Sequence, residues 1–149
     1  MALPGTDSVN FSVQPTPLGI RTSSLWLSEN CVMLDVPSET AGKLELCLNE
    51  VLANLIDHAG AGPSSPPVQL SLELADCGDR ALATLTICDA GEAFDPLSVS
   101  HGPLPRSLQE AEPGGLGLLL VRRFMDELGY ERADGRNVLR MGVYWPKDP

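Results

Sequence analysis

The chain has 149 residues, 43% of them hydrophobic, which is enough for one globular domain with its own core. Twenty Asp and Glu against ten Lys and Arg leave a formal net charge of −10, so direct binding of nucleic acid or of an anionic membrane is not expected. Residues 1–8 lack the basic start and apolar core of a signal peptide, and Leu116–Val121 is too short to cross a bilayer; with no C-x-x-C pair among Cys31, Cys47, Cys77 and Cys88, a cytoplasmic protein with free thiols is expected.

In chain order, Val9–Val13 reads as an edge strand. Pro15 and Pro17 open a helix over roughly 18–31. Ser38 is placed to cap a second helix that runs to Ala59 and stops at Gly60-Ala-Gly-Pro63. Strict alternation in Val68-Gln-Leu-Ser-Leu-Glu-Leu74 marks a half-buried strand. Cys77-Gly-Asp-Arg80 is a turn, and Ala81–Cys88 completes a hairpin. The stretch 91–115 carries four prolines and is long for a plain connector, so a lid is expected over about 92–114. Leu116–Leu128 reads as an apolar-faced helix, with Gly129 as its C′ residue. Tyr130–Ala133 and Asn137–Trp145, joined by Asp134-Gly135, form a closing hairpin. The sum is a single α+β domain over 1–149, a two-layer sandwich whose mixed, mostly antiparallel sheet is covered on one face by helices.

Three places carry chemistry. Glu50, Asn54 and His58 recur at i, i+4 and i+8, one face of a helix that is otherwise mostly apolar. A Glu beside an Asn suits a general base next to a magnesium ligand, because Mg²⁺ takes oxygen donors. The alternative is an ordinary solvated face. Asp89 ends a strand with the parity of Leu85 and Ile87, so its carboxylate faces the covered side, where the amine of a flat heterocycle would supply a donor. Gly91 removes bulk beside it. Here the alternative is a β-turn. Gly114-Gly115-Leu116-Gly117 opens a helix whose free N–H groups and dipole favour an anion; the alternative is a flexible loop end.

Taken in order, these pieces resemble the GHKL ATPase fold of histidine kinases, gyrase and Hsp90-type chaperones. Glu50 and Asn54 match its N box, Asp89 and Gly91 its G1 box, Gly115 and Gly117 its G2 box. The short chain and the phrase from Gly115 to Val121 with Met125–Leu128 resemble the bacterial anti-sigma-factor serine kinases, the RsbW and SpoIIAB-like group, from about Val9 to Val143. The resemblance implies ATP and Mg²⁺ as cofactors. It makes Glu50 the general base and Asn54 the Mg²⁺ ligand, with His58 completing the box. Asp89 would bind adenine, Gly115 and Gly117 would lie under the phosphates, and Arg21 would sit at a partner surface. It implies two partners: a STAS-domain anti-sigma factor antagonist, phosphorylated on Ser or Thr, and a sigma factor or similar regulator. A homodimer is left open.

The chain departs from the pattern twice. Ala93 stands where the G1 box has a second glycine. Its methyl group would crowd the nucleotide, with about 1–2 kcal/mol of strain if φ is positive. The lid has no lysine, so neutralising the γ-phosphate falls to Arg106 or to Mg²⁺. Both departures favour a non-catalytic nucleotide-binding switch module as the alternative function. A stand-alone catalytic domain of a histidine kinase is the other alternative, and it needs an acceptor histidine on another protein.

Overall fold

The computed structural model describes residues 6–94 and 115–147. The expected lid lies outside the described residues except for Glu92–Phe94, and Arg106 lies outside them too. Strand β1 (Thr6–Val13) leads into helices α1 (Pro17–Met33) and α2 (Ser38–Asp57). Strands β2 (Val68–Asp76) and β3 (Arg80–Asp89) follow, then α3 (Gly115–Phe124), β4 (Glu127–Ala133) and β5 (Arg136–Pro146). The sheet runs β1-β2-β3-β5-β4, with every neighbouring pair antiparallel. The α+β two-layer architecture thus forms as expected and β1 does lie at an edge, but the sheet is wholly antiparallel among the described residues and not mixed.

Period-two alternation sends one face of the sheet toward the helices. The register stacks Phe11, Leu70, Ile87, Leu139 and Tyr130 into one row across all five strands. Beside it Leu72, Leu85 and Met141 form a second row, fully buried. Helix α2 presses Leu44, Cys47, Leu48, Val51, Leu52 and Leu55 into the same core, and α1 adds Leu27 and Cys31. Each such Leu contributes about 1.5–3 kcal/mol relative to exposure. Leu46 and Ile56, on other sides of α2, are not fully buried, so this helix is amphipathic. Among the described residues no helix is long and apolar enough to cross a membrane.

Helix ends follow local chemistry. Thr16 caps α1, its Oγ1 accepting the Gly19 N–H at 3.0 Å. Asp35 ends that helix in the left-handed region (φ 59°), with Val36 N–H on Cys31 O at 2.8 Å. Two boundaries differ from the sequence reading. Ser38 is the first helical residue and does not cap α2; Pro37 occupies the cap, without a side-chain bond. Helix α3 stops at Phe124, so Met125–Leu128 is not helical and Gly129 lies inside β4. The edge of β5 takes the chain instead. Asp126 N–H donates to Gly142 O at 2.8 Å, the Asp126 carboxylate accepts Tyr144 N–H at 2.8 Å, and Leu128 then pairs with Met141. The closing turn forms as expected, with Asp134 and Gly135 both at positive φ, 52° and 74°.

Candidate functional site

One row of the sheet breaks the apolar pattern. Asp89 on β3 pairs with Asn137 on β5, which pairs with Arg132 on β4. This polar row lies directly beyond the Ile87–Leu139–Tyr130 row, at the C-terminal end of β3, with α2 across from it. Between them is a cavity lined by Val51, Asn54, Leu55, Ile87, Asp89, Phe94, Tyr130, Asn137 and Leu139. The cavity is tight, about 20 Å³, room for roughly one water, and it is partly open to solvent.

Asn54 reaches this cavity from α2. It is 6% exposed, and its carboxamide makes no hydrogen bond among the described residues. A buried, unsatisfied amide costs on the order of 1–3 kcal/mol, so the position favours a ligand that completes it. That orphaned oxygen fits Mg²⁺, a hard cation that takes oxygen donors. Among the described residues no group of three or more His, Cys, Asp or Glu could hold a metal alone, so an ion here must draw further oxygens from a nucleotide and from water. Glu50 lies one turn before Asn54, half-buried. His58, one turn after, is exposed at the C-cap of α2, its N–H on Asn54 O at 2.9 Å. Glu50 and His58 do not line the cavity, so of the three only Asn54 reaches it.

Across the cavity, Asp89 Oδ1 accepts two donors, Gly91 N–H at 2.9 Å and Asn137 Nδ2 at 3.1 Å. Oδ2 accepts none among the described residues. A Cβ on Gly91 would sit 3.0 Å from Oδ1, close enough to press on the carboxylate. Ala93 is exposed and does not line the cavity. Among the described residues only Asp35 and Asp134 are non-glycines at positive φ, so the strain considered for Ala93 is absent.

Asn137, Tyr130, Phe94 and Arg132 escape a reading by motif. Asn137 is 4% exposed. Its Nδ2 also donates to Glu92 O at 2.8 Å, while its Oδ1 accepts Phe94 N–H at 3.2 Å and the Tyr130 hydroxyl at 2.5 Å. Arg132 donates to Gly91 O at 2.7 Å. A signal existed: Asn137 shares strand parity with Leu139, Met141 and Val143, and an Asn on the covered face of a strand is out of place unless it bonds.

Helix α3 begins at Gly115, as the Gly115–Gly117 motif implied, and packs along α2. Arg21 is exposed on α1, on one face with exposed Leu18 and Leu25. It lies on a separate element from the cavity residues.

Comparison with known proteins adds independent findings. Residues 13–143 match the model of the histidine kinase-like ATPase domain. The chain is 36% identical over 137 residues to the serine/threonine-protein kinase BtrW of Bordetella bronchiseptica, covering 91% of this chain and 92% of that protein. It is 30% identical over 95 residues to the anti-sigma F factor of Bacillus thuringiensis, covering 64% of this chain and 62% of that one. Among solved structures, the fold is similar to the RsbU and RsbW domains of a Mycobacterium tuberculosis protein, with a TM-score of 0.65 at 14% identity over 94% of this chain and 33% of that one. It is also similar to a chain of the SiaB–SiaC complex of Pseudomonas aeruginosa, with a TM-score of 0.64 at 16% identity over 91% and 88%.

Proposed function

The chain belongs to the histidine kinase-like ATPase domain family, in its group of anti-sigma-type serine/threonine protein kinases, and we propose that the cavity between α2 and the β3–β5 strands takes the adenine end of ATP. One observation carries the assignment. A buried Asn54 carboxamide and the Oδ2 of Asp89, both without a partner among the described residues, line the same apolar-walled space. A carboxylate can only accept, so Asp89 Oδ2 favours the adenine amine and disfavours the guanine carbonyl. Because the interior is narrow, the base sits in the mouth with its amine edge toward Asp89.

The substrate is a Ser or Thr hydroxyl on a STAS-domain antagonist. Glu50 removes the hydroxyl proton as the oxygen attacks the γ-phosphorus; the bond from phosphorus to the bridging oxygen breaks, and ADP leaves. Asn54 holds Mg²⁺, which when bound supplies neutralisation of phosphate charge. The backbone N–H groups at the start of α3, freed by Gly115 and Gly117, bind phosphate oxygens. His58, exposed beyond Asn54, supports the end of α2. Arg21, with Leu18 and Leu25, belongs to a surface for the sigma factor or a similar regulator, a basic group framed by apolar ones on an acidic protein.

The experiment is calorimetric titration with Mg-ATP and Mg-GTP. Wild type should prefer ATP, and Asp89→Asn should bind ATP more weakly with that preference relaxed. Asn54→Ala should lose the magnesium-dependent part of binding. Unchanged affinity and base preference in Asp89→Asn would contradict the site.

A further inference from the structure

The polar row holds one residue whose bonding exceeds what a sheet requires. A carboxamide has two donor hydrogens and two acceptor lone pairs. Asn137 fills all four, to Asp89 Oδ1, Glu92 O, Phe94 N–H and the Tyr130 hydroxyl, and Asp89, Phe94 and Tyr130 line the cavity. Asp89 is the residue that gains. With only the Gly91 N–H on Oδ1, its carboxylate could swing about its terminal torsion and exchange its two oxygens. With Asn137 Nδ2 on the same oxygen, Oδ1 is held by donors from two directions and Oδ2 is left, among the described residues, as the open acceptor.

We propose that Asn137 is a positioning residue for base selection, fixing the Asp89 carboxylate so that Oδ2 is the acceptor offered to the exocyclic amine of the base. The inference rests on the reading of Asp89 as the base-recognising group. Pre-organisation converts a flexible acceptor into a selective one, because no torsional freedom is lost when the ligand binds. The same four bonds tie that acceptor to the main chain at residues 92 and 94. A tie serving the loop alone would need Glu92 O and Phe94 N–H but not Asp89.

The test compares ATP with purine riboside triphosphate, which shares ring and phosphates but lacks the exocyclic amine. Calorimetric titration of the full chain is done for wild type, Asp89→Asn, Asn137→Ala and Asn137→Asp. The last is nearly isosteric and keeps the acceptor for Phe94 N–H and Tyr130, so it carries the test if Asn137→Ala does not fold. Wild type should prefer ATP by about tenfold or more, the worth of a hydrogen bond to a charged group. Both Asn137 variants should reduce that preference to within about threefold, with affinity for purine riboside triphosphate changed by less than about threefold. A purely structural role would weaken both ligands alike. Folded Asn137 variants that keep the wild-type preference while Asp89→Asn loses it would overturn the inference and leave the base reading standing. If Asp89→Asn also keeps the preference, Asp89 does not read the base and both fall. In wild type, the Asn137 side-chain NH₂ resonances should shift with ATP more than with purine riboside triphosphate; equal shifts would count against the inference.

Discussion

Cys31 and Cys47 are shielded from ionisation by the fold. Burial pushes each thiol up to about 11 from 9.0, and the negative charges of Glu45 on Cys31 and Glu50 on Cys47 act in the same direction. Between about pH 9 and 11 the unfolded chain therefore gives up these protons while the folded one keeps them. Stability from this source is fully present below pH 9 and falls as pH rises toward 11, by on the order of 2 kcal/mol per thiol. Urea titrations from pH 7 to 11 should show that decline, smaller in a Cys31→Ala/Cys47→Ala variant. Thiol-reactive dyes at pH 8 should label exposed Cys77 rapidly and Cys31 and Cys47 only on unfolding. Glu50 has a sharper consequence: Glu50→Ala should retain Mg-ATP in calorimetry yet lose phosphate transfer by about 10²–10⁴-fold. At this scale the sequence was legible where spacing carried meaning. Asn54 and Asp89 could be singled out from a helix repeat and a strand parity. Asn137 was visible only as a polar residue of inward strand parity; what it bonds was not legible, because those partners lie 43 to 48 residues away or on the adjacent strand and only the register brings them together.

Elements are fixed by close approaches that pattern alone does not reveal. Gly19, in the first turn of α1, is buried against the chain leaving β1. A Cβ there would lie 1.8 Å from Gln14 O and 3.1 Å from Val13 Cγ2. Backbone cannot yield that far, so Gly19→Ala should destabilise the domain by about 2–3 kcal/mol or prevent folding, read from urea midpoints. Thr16→Ala, which removes the cap bond to the same residue, should cost about 1 kcal/mol. The strands and the first two helices were legible because alternation and helical periodicity are local. The junction after α3 was not. Leu128 faces the core whether residues 125–128 are helix or strand, so its hydrophobicity could not separate the two. The choice falls to hydrogen bonds with Gly142 and Tyr144 on β5, partners 16 and 18 residues away in the chain.

At the scale of the whole molecule, an all-antiparallel sheet backs two long helices, and the polar row Asp89–Asn137–Arg132 on its covered face lies across the cavity from Asn54, a polar residue on the buried face of α2. That coincidence makes the site. In the proposed function, Glu50 on the helix and Asp89 on the sheet would serve the two ends of one nucleotide, the reacting phosphate and the base. The net charge of −10 opposes the approach of an anionic nucleotide, so apparent ATP affinity without magnesium should rise with added monovalent salt; calorimetry at two ionic strengths checks this. The proposed activity is phosphate transfer from ATP to a Ser or Thr of a STAS-domain antagonist. The most direct measurement incubates wild type and Glu50→Ala with γ-labelled Mg-ATP and such an antagonist, then tests the label for acid stability. Wild type should leave acid-stable phosphate on the antagonist, and Glu50→Ala should lose transfer by about 10²–10⁴-fold. Acid-labile label on a histidine, no transfer by a nucleotide-loaded wild type, or equal transfer by Glu50→Ala would contradict it.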